Sequence, residues 1–371
     1  MDRRTATRLA AGSVAAAAMV AAAGCGGGGF GQPSSTAGAP AERTTAPSAS
    51  EPIPGLIARG GPSQGGGSLG ANASPFTEGQ VGSDFDPSVS PDGRFVVFAS
   101  TRHRETPDLF LKRVGGSVLT QLTDESSSEV MPAISPDGKR VAFVSDRNGS
   151  WDLYVMPVAG GRPVQLTRDS SPDLHPSWSP DGTRIVFCRQ GRSSGRWELW
   201  VVDADNPSVS RYIGEGLLPK WCPTPGTGVS GADRIVYQRA RERDQGAYGV
   251  WMMDFAGGEA GSPMHLVSLP DAACINPSWS PDGRHVVYSV VPTDGTTESG
   301  QLWMTNVEGS WRVALTGGAW RDHLPVWASD GRVYFVSNRT GTESIWSVDA
   351  GRVLASAAES GAPIAQAGSG D

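Results

Sequence analysis

Short runs of alternating apolar and polar residues, separated by turn residues, cover most of the chain. A representative unit is PSWSPDGTRIVF at residues 176–187, in which an apolar stretch, a Pro-Asp-Gly turn and a second apolar stretch follow one another. Proline presets φ for a turn and glycine accepts positive φ, so the chain can reverse tightly between two strands. The unit therefore predicts a β-hairpin.

The hairpin unit recurs along the chain. Its copies begin at Pro87, Pro132, Pro176, Pro219, Pro277 and Pro325, and the copy at Pro219 is degraded. Each copy is followed by further strand-like runs, such as DLYV at residues 152–155 and PVQLT at residues 163–167. Four-stranded units that repeat every 43 to 58 residues are typical of propeller blades. We therefore predict an all-β fold, a six-bladed β-propeller of four-stranded antiparallel blades over residues 81–354, closed by residues 69–77 or by residues 351–356.

Eight of the 12 tryptophans occupy two positions of the repeat. On the first strand they are Trp178, Trp221, Trp279 and Trp327, and on the third strand they are Trp200, Trp251, Trp303 and Trp346. Tryptophan is large and costly to expose, so this regular placement indicates packing between blades rather than eight ligand contacts.

Three features of the repeat resemble TolB-like β-propellers with PD40 (WD40-like) repeats. They are the P-x-W-S-P-D-G unit, the strand ends SDRNG at residues 145–149 and SNRTG at residues 337–341, and third strands such as LYVM at residues 153–156. The resemblance implies a propeller that docks an envelope lipoprotein, as in TolB, but similar repeats serve peptidase gating domains and some lyases. We expect no counterpart of the α/β domain that precedes the propeller in TolB.

The N-terminal residues have the build of an export signal. Arginines at positions 3, 4 and 8 precede an apolar run over residues 9–23, and AAGC at residues 22–25 resembles a bacterial lipoprotein box. We predict a signal peptide over residues 1–25, lipidation of Cys25, a disordered Gly/Ser/Pro linker over residues 26–80 and a disordered tail over residues 355–371. An ordinary signal peptide and a twin-arginine route remain as alternatives. The expected location is the periplasm or, by lipid anchor, the outer membrane.

Charge and cysteine content narrow the possible partners. The net charge is −7 and the pI is about 5.3, so the chain lacks the basic footprint of a nucleic-acid-binding protein. Besides Cys25 the chain has Cys188, Cys222 and Cys274, which we expect to be buried and unpaired rather than disulfide-bonded, and no zinc-ligand spacing is present. We expect a monomer.

Strand alternation places the Pro-Asp-Gly turns at one end of the propeller and the variable loops at the other, which is where binding residues usually lie. The candidate binding residues on this loop end are Asp84, Asp86, Glu129, Asp173, His175, Asn276, Asp322 and His323, with a basic flank of Arg189, Arg192, Arg239, Arg241 and Arg243. Four carboxylates share one repeat position, three residues before the proline. They either form an acidic funnel that attracts cations or pair with Arg102, Arg147 and Arg339, which end second strands.

Two functions from different classes fit this pattern. The first is a non-catalytic, lipid-anchored scaffold of the cell envelope that docks a protein partner through the loop end, with no catalytic residue, cofactor or metal. The alternative is a metal-dependent enzyme similar to polysaccharide lyases, with His175 and His323 at the channel mouth. The chain has only five histidines, so a site of three histidines is disfavoured.

Overall fold

The computed structural model describes residues 73–78, 81–240, 247–295 and 299–359. The signal peptide with Cys25, the larger part of the linker, and Arg241 and Arg243 of the basic flank lie outside the described residues. Among the helices that are described, none is long and apolar enough to cross a membrane.

Six antiparallel sheets follow one another along the chain. In each, the three inner strands form a meander of strands that are consecutive in sequence. This confirms the all-β, six-bladed propeller. Blade 1 contains β2 (Asp84–Val89), β3 (Phe95–Ser100), β4 (Asp108–Arg113) and β5 (Leu119–Gln121). Blade 2 contains β6 (Glu129–Ile134), β7 (Arg140–Ser145), β8 (Asp152–Pro157) and β9 (Val164–Gln165). Blade 3 contains β10 (Asp173–Trp178), β11 (Arg184–Gln190), β12 (Trp197–Asp203) and β13 (Ser210–Glu215).

The other three blades are less regular. Blade 4 contains β14 (Leu217–Trp221), β15 (Asp233–Ala240) and β16 (Tyr248–Ala256), and its outer strand is divided into β17 (Glu259–Ala260) and β18 (Met264–Val267). Blade 5 contains β19 (Ala272–Trp279), β20 (His285–Pro292), β21 (Gln301–Asn306) and β22 (Arg312–Ala314). Blade 6 contains β23 (Asp322–Trp327), β24 (Arg332–Ser337) and β25 (Ser344–Asp349), and its outer strand is β1 (Ser74–Pro75).

The N-terminal strand closes the ring. β1 pairs with β25, and the Thr77 hydroxyl accepts the Ile345 N–H at 3.0 Å, which confirms closure by residues 69–77. The propeller therefore begins before residue 81, within the segment predicted to be linker. Residues 351–356 instead lie in helix α1 (Ala350–Glu359), so the first five residues of the tail predicted to be disordered are helical.

Each Pro-Asp-Gly turn is held by the serine that precedes its proline. In blade 5 the Ser280 hydroxyl donates to Asp282 at 2.6 Å and accepts the His285 N–H at 2.9 Å. Gly283 has φ of 68°, a conformation that only glycine adopts without strain. The hydrogen bonds of the serine thus fix the turn, and the positive φ of Gly283 agrees with the predicted role of glycine in it.

Two kinds of hydrogen bond alternate between neighbouring blades. From blade 1 to blade 2, the Ser88 hydroxyl accepts the Ile134 N–H at 3.1 Å. From blade 2 to blade 3, the indole N–H of Trp178 donates to the Ala133 carbonyl at 2.8 Å. The first bond recurs between blades 3 and 4, where the Ser177 hydroxyl accepts the Trp221 N–H at 3.0 Å. The second recurs between blades 4 and 5, where the indole N–H of Trp279 donates to the Lys220 carbonyl at 2.9 Å.

The tryptophans of the two repeat positions behave differently. Trp178, Trp221 and Trp279 on first strands are 3–6% exposed, which confirms their packing between blades. The third-strand tryptophans are half-buried, and arginine guanidinium groups cover Trp200 and Trp346 at 4.9 and 5.4 Å from the ring centroids. The three described cysteines, Cys188, Cys222 and Cys274, are free and buried, as predicted.

Candidate functional site

The meander gives the propeller two different ends. We call the end with the Pro-Asp-Gly turns the turn face, and the end with the second-to-third and fourth-to-first connections the loop face. First strands line the central channel and run from the loop face to the turn face. The predicted site residues lie at the loop-face ends of the first and second strands and in the loops between blades.

The four carboxylates that share a repeat position do not form an exposed acidic ring. Asp84, Glu129, Asp173 and Asp322 are at most 2% exposed. Each forms an ion pair with an arginine from the same blade, and the pairs are Asp84–Arg102 at 2.6 Å, Glu129–Arg147 at 3.2 Å, Asp173–Arg189 at 2.6 Å and Asp322–Arg339 at 2.5 Å. Pairing with Arg102, Arg147 and Arg339 is thus confirmed. Arg189, predicted to belong to the basic flank, is instead the partner of Asp173.

These ion pairs are part of a unit that includes aromatic rings. The Arg102 guanidinium lies 5.1 Å from the centroid of the Phe110 ring, and that of Arg147 lies 4.8 Å from the Tyr154 ring. In blade 2 burial raises the pKa of Glu129, and hydrogen bonds from neighbouring hydroxyl groups and the charge of Arg147 oppose that rise. We call this buried carboxylate, its arginine and the ring below it the acid–arginine unit.

Blades 4 and 5 lack the acid–arginine unit. Blade 5 has Cys274 at the acidic position, opposite Val290. Blade 4 has Gly216, where a Cβ would lie only 2.5 Å from the Tyr237 ring, so a carboxylate cannot be accommodated. Arg239 of blade 4 lies 5.5 Å from the Trp251 ring.

Ion pairs neutralise Arg189 and Arg192 of the basic flank and the neighbouring Arg196. Arg192 is exposed but pairs with Asp169 at 3.0 Å, and Arg196 pairs with Glu215 at 3.2 Å. Arg241 and Arg243 lie outside the described residues. The flank is therefore a mixed-charge surface within the part that the structure describes.

The residue before the repeat proline adopts a left-handed conformation in every blade. These residues are Asp86, Met131, His175, Leu218, Asn276 and Leu324, with φ of 47–57°. Each lies at a bulge that adds one residue to the first strand relative to the second. Together they line the narrow waist of the channel, a cavity of about 40 Å³.

The waist brings together three of the predicted site residues, but His323 is not among them. Asp86, His175 and Asn276 line it. His323 is one position earlier in the repeat, and its Nε2 lies 3.3 Å from the Glu343 carboxylate. The two histidines of the proposed enzyme site are therefore in different surroundings.

A second ring lines the channel two residues further along each first strand. Its members are Ser88, Ala133, Ser177, Lys220, Ser278 and Val326. Sequence reasoning missed Lys220, although aligning the degraded fourth copy with the others would have shown a lysine where the other five blades have small residues. Among the described residues, the Lys220 ammonium makes no hydrogen bond and no ion pair within 4.0 Å.

The charged groups of the channel are perturbed by burial. Burial raises the pKa of Asp86 to about 6, and the Met131 N–H and Lys220 oppose this shift. Burial lowers the pKa of His175 to about 3, and the charge of Lys220 lowers it further. Burial also lowers the pKa of Lys220, while Asp86 opposes that shift.

The channel widens from the waist toward the turn face. The wide part has a volume of about 380 Å³, and Lys220 contributes to its lining. We call it the turn-face funnel. Its wall carries one large apolar residue from each blade, namely Val89, Ile134, Trp178, Trp221, Trp279 and Trp327.

A metal site with clustered ligands is not found in the described ranges. Within them, no three histidine, cysteine, aspartate or glutamate side chains are arranged so that they could hold an ion. The remaining histidines pack on aromatic rings, with His103 on Phe110, His265 on Trp251 and His285 on Trp311.

The buried neutral His175 predicts a specific pH dependence of stability. Unfolded histidine binds a proton with a pKa near 6.5, whereas His175 in the folded state stays neutral down to pH of about 3. The unfolded state thus binds more protons in this window, and the free energy of unfolding falls as the pH falls. Between pH 6.5 and pH 5, the free energy of unfolding of His175→Asn, which copies Asn276 of blade 5, should fall by about 1–2 kcal/mol less than that of the wild type. Urea titrations at the two pH values measure this difference. Parallel curves for the two proteins would contradict this assignment.

Comparisons with known proteins agree with the architecture. Residues 75–223 match the model of the TolB beta propeller domain, PD40. No curated protein matches the chain in sequence. Solved structures with a similar fold are at most 20% identical to this chain among those described below, so the similarity shows the fold alone.

Three of these structures illustrate the range of functions that the fold serves. A protein assigned as TolB from Agrobacterium tumefaciens is 20% identical, with a TM-score of 0.55 over 72% of this chain and 90% of that one. Oligogalacturonate lyase from Vibrio parahaemolyticus is 13% identical, with a TM-score of 0.50 over 75% and 93%. The tricorn protease is 15% identical, with a TM-score of 0.54 over 74% of this chain and 26% of that one. The protein therefore folds as a six-bladed β-propeller, and its residues 75–223 match the TolB beta propeller domain.

Proposed function

We propose that the protein is an exported, lipid-anchored scaffold of the bacterial cell envelope that docks a protein partner on the loop face. The TolB-like fold supports a binding role, because TolB propellers dock a partner. The signal sequence that ends at Cys25 supports export and anchoring. The linker before the propeller would let the anchored domain reach a partner beside the membrane.

One observation on the loop face carries this proposal. Trp320 lies in the connection that leads into blade 6 and is 44% exposed. Tryptophan is enriched among the residues that dominate binding energies at protein interfaces, and an exposed indole is otherwise unfavourable. Val81, in the segment that leads into the neighbouring blade 1, is 70% exposed. The loop face over blade 6 therefore presents two apolar side chains to solvent.

The backbone around Trp320 is fixed. The Gly300 N–H donates to the Trp320 carbonyl at 3.0 Å, and the Asp322 N–H donates to the Gly300 carbonyl at 3.0 Å. The Arg321 N–H donates to the Asn338 side chain at 2.9 Å. A loop whose backbone is held in place before binding loses less conformational entropy on binding, which favours affinity.

The acid–arginine units hold the strand ends from which the loops of this face start. Asp322, two residues after Trp320, forms one of them with Arg339. Because the carboxylates are buried and paired, their contribution to docking is to hold the ends of the second strands rather than to contact a partner. Arg192 and Arg196, which are exposed and paired with carboxylates, are suited to the polar rim of an interface.

The docking proposal is tested by photo-crosslinking in intact cells. A photoreactive residue is placed at position 340, which is exposed on the loop face of blade 6, and at position 139, which is exposed on the turn face, and captured proteins are identified by mass spectrometry. We expect one partner to be enriched at position 340 and absent at position 139. Adding Trp320→Ala should remove this capture without lowering the melting temperature, because the indole is exposed.

Equal capture at positions 340 and 139, or capture at position 340 that is insensitive to Trp320→Ala, would contradict docking on the loop face. Asp173→Ala and Asp322→Ala are unsuitable as docking variants. Each removes a buried carboxylate that pairs with an arginine of the same blade, so it weakens the fold as well as any interface.

The anchor is tested separately. The wild-type protein should be recovered with membranes and should incorporate a labelled fatty acid. Cys25→Ser should instead be recovered in the soluble fraction without label, because the lipidated thiol is gone. Cys188→Ser, at a buried position far along the chain, serves as the matched control and should keep the label. Membrane recovery of the Cys25→Ser variant at the wild-type level would contradict a lipid anchor at this residue.

A further inference from the structure

The turn-face funnel is a cavity with no role in loop-face docking. Its volume of about 380 Å³ lies in the range of small-molecule sites, which is roughly 300–1,000 Å³. It opens at the end of the propeller opposite Trp320, and the narrow waist separates it from the loop face. A ligand in this cavity would therefore be bound independently of a partner on the loop face.

The wall of the funnel is mostly apolar, although serines also line it. The indole N–H groups of Trp178 and Trp279 donate to backbone carbonyls of the preceding blades, and that of Trp221 donates to Asp233 at 3.3 Å. These three tryptophans thus present only carbon surface to the cavity. Blades 1 and 2 complete the wall with Val89 and Ile134. A ligand with a flat or aliphatic body would bury its surface here.

The floor of the funnel carries one positive charge. Lys220 is the single long side chain in a ring whose other members are serine, alanine and valine. Among the described residues, no carboxylate lies within 4.0 Å of its ammonium group. Asp86 acts on Lys220 only over a longer distance, and His175 beside it is neutral. An ammonium group in an apolar cavity is strongly stabilised by a paired anion.

We propose that the turn-face funnel binds a carboxylate attached to an apolar body, with the carboxylate paired to Lys220. A single lysine matches the single charge of a carboxylate, whereas the nearby Asp86 disfavours a ligand with more negative charge. The cavity holds on the order of twenty non-hydrogen atoms, the size of an aromatic acid or one or two residues of a peptide. The carboxylate comes either from a free organic acid or from the C-terminus of a polypeptide.

The test is a ligand-observed fluorine NMR titration of the purified full-length protein. The probes are 3-(4-fluorophenyl)propionate and a tripeptide that ends in 4-fluorophenylalanine, each compared with its uncharged primary amide. At least one of the two acids should bind at least tenfold more tightly than its amide, because only the acid pairs with Lys220. Binding of the small acid identifies a free organic acid as the source, and binding of the peptide acid alone identifies a C-terminus. Equal binding of acids and amides, or no binding of either acid, would overturn the proposal.

Three variants locate the site. Lys220→Met keeps the length of the side chain and should weaken binding of the acid at least tenfold. Val326→Phe narrows the floor of the funnel beside Lys220 without changing its charge and should weaken binding of acid and amide alike, so it tests the cavity even if Lys220→Met misfolds. Lys139→Met, on an exposed turn outside the funnel, should bind as the wild type does. Wild-type affinity in both Lys220→Met and Val326→Phe would show that the acid binds elsewhere.

Discussion

The ion pair between a buried carboxylate and an arginine of the second strand is the interaction on which the loop face depends. It joins the inner strand of a blade to the end of the next strand, and the arginine also covers an aromatic ring, as Arg189 covers Trp200. A buried carboxylate without a partner would cost several kcal/mol, about 3–5 by mutational experience, so the pair must form for the blade to fold as it does. Four blades use this unit, and their loops start from a rigid base.

The two blades without this unit differ from the others elsewhere as well. Blade 5 replaces the ion pair with Cys274 and Val290, which carry no charge. Blade 4 has Gly216 at the acidic position and contributes Lys220 to the channel. The ring is thus structurally regular but chemically uneven. Lys220 of blade 4 is the basic residue of the channel lining, and Asp86 of blade 1 supplies a carboxylate at the waist.

The repeat predicted the blades and the turns, because alternation and turn chemistry act locally, but it left the closing segment open between residues 69–77 and residues 351–356. It could not predict whether Asp173 faces the channel or is buried against an arginine, and the reason is geometric. By simple alternation Asp173, His175 and Ser177 would share one side of the strand, but the left-handed His175 inserts a bulge between Leu174 and Ser177. His175 and Ser177 line the channel, whereas Asp173 is buried against Arg189. Trp320 was missed because loops have no repeat register to compare.

A double-mutant cycle in blade 3 tests the structural role of the ion pair most directly. Asp173→Cys and Arg189→Val together copy the apolar pair Cys274 and Val290 of blade 5. Measured by urea unfolding, Arg189→Val should cost about 3–5 kcal/mol, because it leaves the buried Asp173 carboxylate unpaired. Asp173→Cys should cost less, because Arg189 keeps its ion pair with Asp169 at 3.6 Å. The double variant should lie much closer to the wild type than the sum of the two losses, since neither charge remains. Losses that simply add would contradict the pairing on which the loop face is built.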